Sequence, residues 1–169
     1  MIYLITALAI YFLIVFVALR FVVPFMGFNA LRASQEIPQE IKDRIAKLEK
    51  ASQTPEEYLK RAYDLVVSRW HAGRFETLLR APLAFRKDLA QVWRSPGYAH
   101  CTTQNYLLFV LLVGSKFFRP EDIKKKTVLF NFFVHQFLQV HVANQWLDVD
   151  PAGASICGMP FGSHISFFG

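Results

Sequence analysis

The sequence predicts an α+β domain carried behind one N-terminal membrane-spanning helix. Three observations predict it. An uncharged apolar run opens the chain, stretches of helical periodicity follow, and the last third turns to runs of Val, Phe, Leu and Thr that suit strands. Of the 169 residues, those behind the apolar run suffice for one domain with its own core and fall short of two ordinary ones.

Residues 2–19 carry no charge, about the length at which a helix begins to span a bilayer. Arg20 interrupts the run, its long stem suited to reaching headgroups, and residues 21–28 extend it through Pro24 and Gly27. The expected anchor is therefore 1–28. A cleaved signal peptide would want a basic start and a small-x-small cleavage site after a shorter apolar core, and no Lys or Arg precedes residue 20. Arg20, Arg32, Lys42, Arg44, Lys47 and Lys50 all follow the span, so the positive-inside rule puts the domain in the cytoplasm. The formal charge of +6 suits an anionic membrane surface. No nucleic-acid motif accompanies it, and nucleic acid is not an expected partner. Two cysteines, Cys101 and Cys157, make no disulfide framework.

Residues 29–53 read as a connector leading into a juxtamembrane amphipathic helix, with Ile41, Ile45 and Leu48 at helical spacing among charges. The domain proper is expected over 54–169. Thr54-Pro55-Glu56-Glu57 starts its first helix: Thr54 caps, Pro55 suits the first turn and Glu57 completes a capping box. Tyr58, Ala62, Leu65, Val66 and Trp70 give that helix its apolar face, and His71 to Gly73 close it. A further helix is expected over 78–93, bent at Pro82. Ser95-Pro96-Gly97 reads as a turn. Thr102, Thr103 and Asn105 then head the apolar run 106–113, which Gly114 ends; this predicts a central buried helix. Residues 116–126 read as a charged connector, 127–142 as one long strand, and 146–150 as a second strand stopped by Pro151.

The chemistry centres on Cys101. A thiol at the head of a helix meets the positive end of the helix dipole, which favours thiolate. One Cys there, with His and Asp further along, fits a nucleophile, base and orienter. His135 and Asp150 lie fifteen positions apart, so a turn centred between Val142 and Ala143 would set them directly opposite on adjacent antiparallel strands, with Cβ atoms about 5 Å apart. Asp150 would fix the tautomer of His135, which would pair with the thiol.

Around these residues the chain resembles the transglutaminase-like superfamily. The resemblance rests on Gly97-Tyr-Ala-His-Cys101 before an apolar helix, on His135-Gln-Phe-Leu-Gln-Val, and on Trp146 four residues before Asp150-Pro151; it covers roughly 54–169. Ala99, Thr102, Thr103 and Ala152 depart from the residues usual in that family. The resemblance implies a papain-like core with helices packed on a small antiparallel sheet, and a Cys101–His135–Asp150 triad. It also implies acyl transfer on amide or peptide carbonyls through a thioester, without a cofactor, leaving hydrolysis and amide transfer equally open.

Other residues compete. His141 is nine positions from Asp150, which misaligns it, and Asp148 lacks a following Pro. His100 adjoins the nucleophile as a solvent-facing neighbour or a modulator of access. Cys157 sits in a loop-like stretch and Trp146 reads as hairpin packing. His100, Cys101, His135, His141, Cys157 and His164 show none of the short spacings of zinc sites. The backbone N–H of Cys101 is the natural first oxyanion donor; Gln91, Trp93 and Tyr98 are open candidates for the second. The expected partners are a peptide or protein amide and the membrane. The rival to an enzyme is an inactive membrane-anchored binding module of the same fold.

Overall fold

The computed structural model describes residues 2–14, 23, 25, 36–86, 88–130 and 133–165, and of 129, 130 and 133 the backbone alone. The architecture is α+β. Among the described residues seven α-helices precede or follow a three-stranded antiparallel sheet, and a two-residue parallel ladder lies apart from it.

Helix α1 (Ile2–Leu13) is apolar but for Thr6 and buries none of its side chains. Among the described residues no helix is long and apolar enough to cross a membrane. Residues 1, 15–22, 24 and 26–28 of the expected anchor and 29–35 of the expected connector lie outside the described residues. Phe25 is described: its ring stacks on Tyr106 with centroids 3.8 Å apart, and its carbonyl accepts from Lys125 at 3.3 Å.

Helix α2 (Gln39–Ala51) turns Ile41 and Ile45 into the core, as its periodicity predicts. Helix α3 (Pro55–Arg69) begins where the sequence places it. Thr54 accepts from the Glu57 N–H, while the Glu57 carboxylate reaches back to the N–H of Gln53 rather than that of Thr54. The helix ends at Arg69, and Trp70, expected on its apolar face, forms with His71, expected to close it, strand β1, parallel to β2 (Gly97–Tyr98).

The single helix expected over 78–93 is three pieces. They are α4 (Arg74–Leu79), a 3-10 turn over Ala81–Phe85, and α5 (Leu89–Arg94), capped by the Asp88 side chain. Pro82 has no N–H to continue the ladder from α4 and sits in the first turn of the 3-10 segment, where none is needed.

Helix α6 (Cys101–Val113) is the central element, with Thr102 through Leu112 all buried. A helix apolar on every side must be enclosed by protein or lipid. Here α3, α7 and β4 enclose it. The Tyr58 hydroxyl donates to the Leu111 carbonyl at 2.7 Å, and the Asn105 amide donates to the Gln136 carbonyl of β4 at 2.7 Å.

The long strand expected over 127–142 is a hairpin. Strand β3 (Ile123–Phe130) pairs antiparallel with β4 (Phe133–Val142), and β4 with β5 (Gln145–Val149). Lys124, Lys125 and Lys126, read as part of a connector, belong to β3, an edge strand where lysines discourage further pairing. The β4–β5 loop is Ala143–Asn144, with φ of 50° and 61° as a type I′ turn requires. It pairs Val142 with Gln145 and Leu138 with Val149. The register is thus two residues away from one opposing His135 to Asp150. Asp150 follows β5 and caps helix α7 (Pro151–Cys157).

Tyr58→Phe keeps the ring but leaves the Leu111 carbonyl unmatched in the core. Chemical denaturation should show a loss of about 1–3 kcal/mol; an unchanged midpoint would mean this bond contributes nothing.

Candidate active site

Short-range order fixes the head of α6 first. The Ala99 N–H donates to the His71 carbonyl at 2.9 Å, so the β1–β2 ladder leads directly into the helix. The Gln104 side chain donates back to the Ala99 carbonyl at 2.9 Å. His100 is the N-cap residue and makes no side-chain cap bond. Cys101 is therefore the first helical residue, partly exposed, where the helix leaves its leading N–H groups without intrahelical acceptors.

The other two residues meet at the end of the sheet. His135 Nε2 lies 2.7 Å from Asp150 Oδ2, with the two side chains 4 % and 0 % exposed. Asp150 is fully engaged: Oδ1 accepts from the Gly153 N–H at 2.9 Å, and Oδ2 accepts also from the Ile165 N–H at 3.1 Å. A carboxylate needs such partners once water is removed. The contact is made although the register does not oppose these residues, because Asp150 lies beyond the ladder, at the N-cap of α7.

The Cys101 thiol lies close enough to the same ring to act on it, and that proximity joins the three residues. Burial alone would lower the His135 pKa. The hydrogen bonds to Asp150 and Cys101, with the charges of both, outweigh burial and push it up to about 10. At neutral pH the ring carries its second proton.

The neighbouring positions sort cleanly. Burial lowers the His100 pKa, partly offset by the Arg80 carbonyl, which Nε2 approaches at 3.3 Å. A carbonyl only accepts, so Nε2 carries the proton and Nδ1 faces the Tyr98 hydroxyl at 3.2 Å. Tyr98 also bonds Thr77 at 3.1 Å, and burial raises its pKa. Of the three candidates for the second oxyanion donor, Tyr98 is thus committed to Thr77 and His100. Trp93 packs on Trp70 under the Arg69 guanidinium, and Gln91 is exposed on α5. The Thr102 hydroxyl, next to the sulfur-bearing residue, is buried without a partner among the described residues. A cleft touching Trp70, Arg86, Tyr98, Ala99 and Thr103 opens near the same helix end. Thr103 is two residues, about 200° around the helix, from Cys101, so the cleft is not where the sulfur points.

The rivals find other partners. Asp148 accepts from Gln139 at 2.7 Å and meets His164 Nδ1 at 2.8 Å, a second and more exposed His–Asp pair. The His164 ring stacks on Phe137. His141 packs against Trp146 across the strands, while Lys124 sits over the same indole. Exposed Cys157 touches the Arg74 guanidinium at 3.4 Å. Among the described residues no group of three or more His, Cys, Asp or Glu is placed to hold a metal ion.

Sequence reasoning passed over Gly153 and Ile165, which supply the N–H groups that hold Asp150. Gly153 carried a signal of its own, lying three residues after an Asp-Pro where a capping carboxylate finds its N–H. Comparisons with protein-family models, with curated proteins and with solved structures return no match.

A Cβ at Gly153 would lie 2.6 Å from Asp150 Oδ2, so Gly153→Ala must push the carboxylate or the helix aside. NMR of the imidazole should show the His135 pKa falling in this variant, and an unchanged titration would mean the carboxylate is held elsewhere. Because the folded value lies above the ordinary 6.5, protonated His135 stabilises the fold fully below 6.5, and this contribution is lost as pH rises through about 10. The stability gap between wild type and His135→Gln should narrow across that window in denaturation curves taken at stepped pH. A gap that is flat across this window would contradict the assignment.

Proposed function

We propose that this chain is a membrane-anchored cysteine acyl-transfer enzyme of transglutaminase-like type, acting on amide or peptide carbonyls. One observation carries the reading: a buried His135–Asp150 pair at 2.7 Å meets the Cys101 thiol at the head of α6. Asp150 fixes the ring with one nitrogen toward the carboxylate and stabilises its charged form. The Cys101 sulfur attacks the carbonyl carbon, and the carbonyl electron pair moves onto oxygen. The Cys101 backbone N–H, left open by the helix end, faces that oxyanion. Collapse breaks the C–N bond as imidazolium protonates the leaving amine, leaving a thioester. His135, now neutral, then takes a proton from water or an amine as it attacks, and collapse of the second intermediate restores the thiolate–imidazolium pair. The anchor is the apolar run from residue 2 onward, with the domain on its cytoplasmic side.

The second reading keeps the fold without turnover. Thr102 and Thr103 follow Cys101, and the cleft near the helix end opens away from the sulfur, which suits a module that binds without reacting.

Alkylation separates the two. In a Cys157→Ser background an iodoacetamide-type reagent should modify Cys101 quickly near neutral pH, and His135→Ala should slow this by about tenfold or more. Peptide amides should then leave a hydroxylamine-sensitive adduct on Cys101, detected by mass spectrometry and absent from Cys101→Ala. A sulfur that alkylates like an ordinary thiol, indifferent to His135, returns the chain to the binding reading.

A further inference from the structure

The strongest feature outside the triad is the segment from Arg74 to Arg86. Its α4 and 3-10 turn expose Phe75, Leu78, Leu79 and Phe85, with Phe75 at 83 % and Leu79 at 82 %. Large apolar side chains gathered on one short surface are uncommon on proteins that stay in water. The polar side of the same segment faces inward. Glu76 meets His71 at 3.3 Å and Arg80 at 3.6 Å, and Thr77 and Arg80 contact Tyr98 and His100 just before Cys101. The amphipathic order is reversed from that of a helix packing on its own core.

We propose that this surface docks into the headgroup boundary of an anionic lipid bilayer and holds the Cys101 end of the fold there. Charge selects the partner. Arg74 and Arg86 flank the apolar residues, while Glu76, the one acidic residue of the segment, is already engaged by His71 and Arg80. Arginine stems lie along apolar surface while their heads reach phosphate. Backbone chemistry agrees. The Arg80, Leu83 and Arg86 N–H groups donate to carbonyls within the segment, the Thr77 N–H donates to Gly73 just ahead of it, and Pro82 has none to satisfy. Each such pairing leaves one donor fewer to strand in an apolar medium. Helix α1 gives the chain a second wholly exposed apolar surface, so a lipid surface is already within the chemistry of this protein. The combination of exposed Phe and Leu with a basic rim is that of an interfacial helix lying in the membrane plane.

Hydrogen exchange of the full chain, one per nanodisc, tests this without reference to turnover. Amides of 74–86 should exchange about tenfold or more slowly when phosphatidylglycerol is added to phosphatidylcholine. Phe75→Ser with Leu79→Ser should abolish that protection while α6 exchanges as in the wild type, because neither side chain packs in the core. Arg74→Gln with Arg86→Gln should weaken the dependence on anionic lipid. Exchange that is equal in both lipids and in the Phe75/Leu79 variant overturns the proposal. So does protection that appears only when two chains share a disc, which would assign the surface to a second copy. Since the readout is exchange, an unreactive Cys101 would leave this result standing, and an unprotected segment would leave the triad standing.

Discussion

A carboxylate buried at the end of a three-stranded sheet sets the terms for much of this fold. Asp150 has no water to solvate it, so every neighbour that approaches must bring a proton donor. Three do so, from three places in the chain: the His135 ring in β4, the Gly153 N–H in α7 and the Ile165 N–H in the segment that follows. The same side chain caps α7. Removing the carboxylate would strand an imidazolium and two amides, so sheet, helix and C-terminal segment are bound to one group. The Cys101 thiol acts on the same ring that Asp150 holds.

Two layers of polar contacts position the sulfur. The β1–β2 ladder and the Gln104–Ala99 bond fix the backbone on which α6 begins, and Asn105 ties that helix to β4. Outside them, His100 and Tyr98 link the helix head to Arg80 and Thr77 on the amphipathic segment. A displacement of that segment would be felt first at the N-cap of the helix bearing the sulfur.

What the sequence made legible and what it hid have physical reasons. The head of α3 was readable because capping is local, Thr54 with Pro55 and Glu57; the head of α6, which has no side-chain cap, was marked by the unbroken apolar run behind it. His135 and Asp150 were legible as a pair, although the spacing argument set them directly opposite. Their register was not, because the loop at Ala143–Asn144 carries none of the glycine that marks a tight hairpin, and a turn centred one residue earlier is equally consistent with the pattern. The break between Leu79 and Leu89 was hidden for a different reason. Its exposed Phe and Leu mimic a core-facing stripe, while Pro82 and the capping Asp88 mark boundaries that periodicity overrode. Lys124 to Lys126 looked like a solvated run because an edge strand tolerates charges that a central strand would reject. Gly153 and Ile165 act through backbone N–H groups, which side-chain reasoning does not see.

The two-residue loop between β4 and β5 sets a measured length. Ala143 and Asn144 both adopt left-handed backbone, a conformation that disfavours a residue with a Cβ by about 1–2 kcal/mol, and they do so without glycine. The loop nonetheless fixes how many residues separate the middle of β4 from the start of α7. One added residue there would advance the second strand by about 3.4 Å and turn its side chains to the opposite face. A carboxylate–imidazole distance of 2.7 Å leaves no room for that. The hairpin thus works as a ruler, and variation in the length of this chain has far more latitude in the surface segments ahead of α6 than between His135 and Asp150.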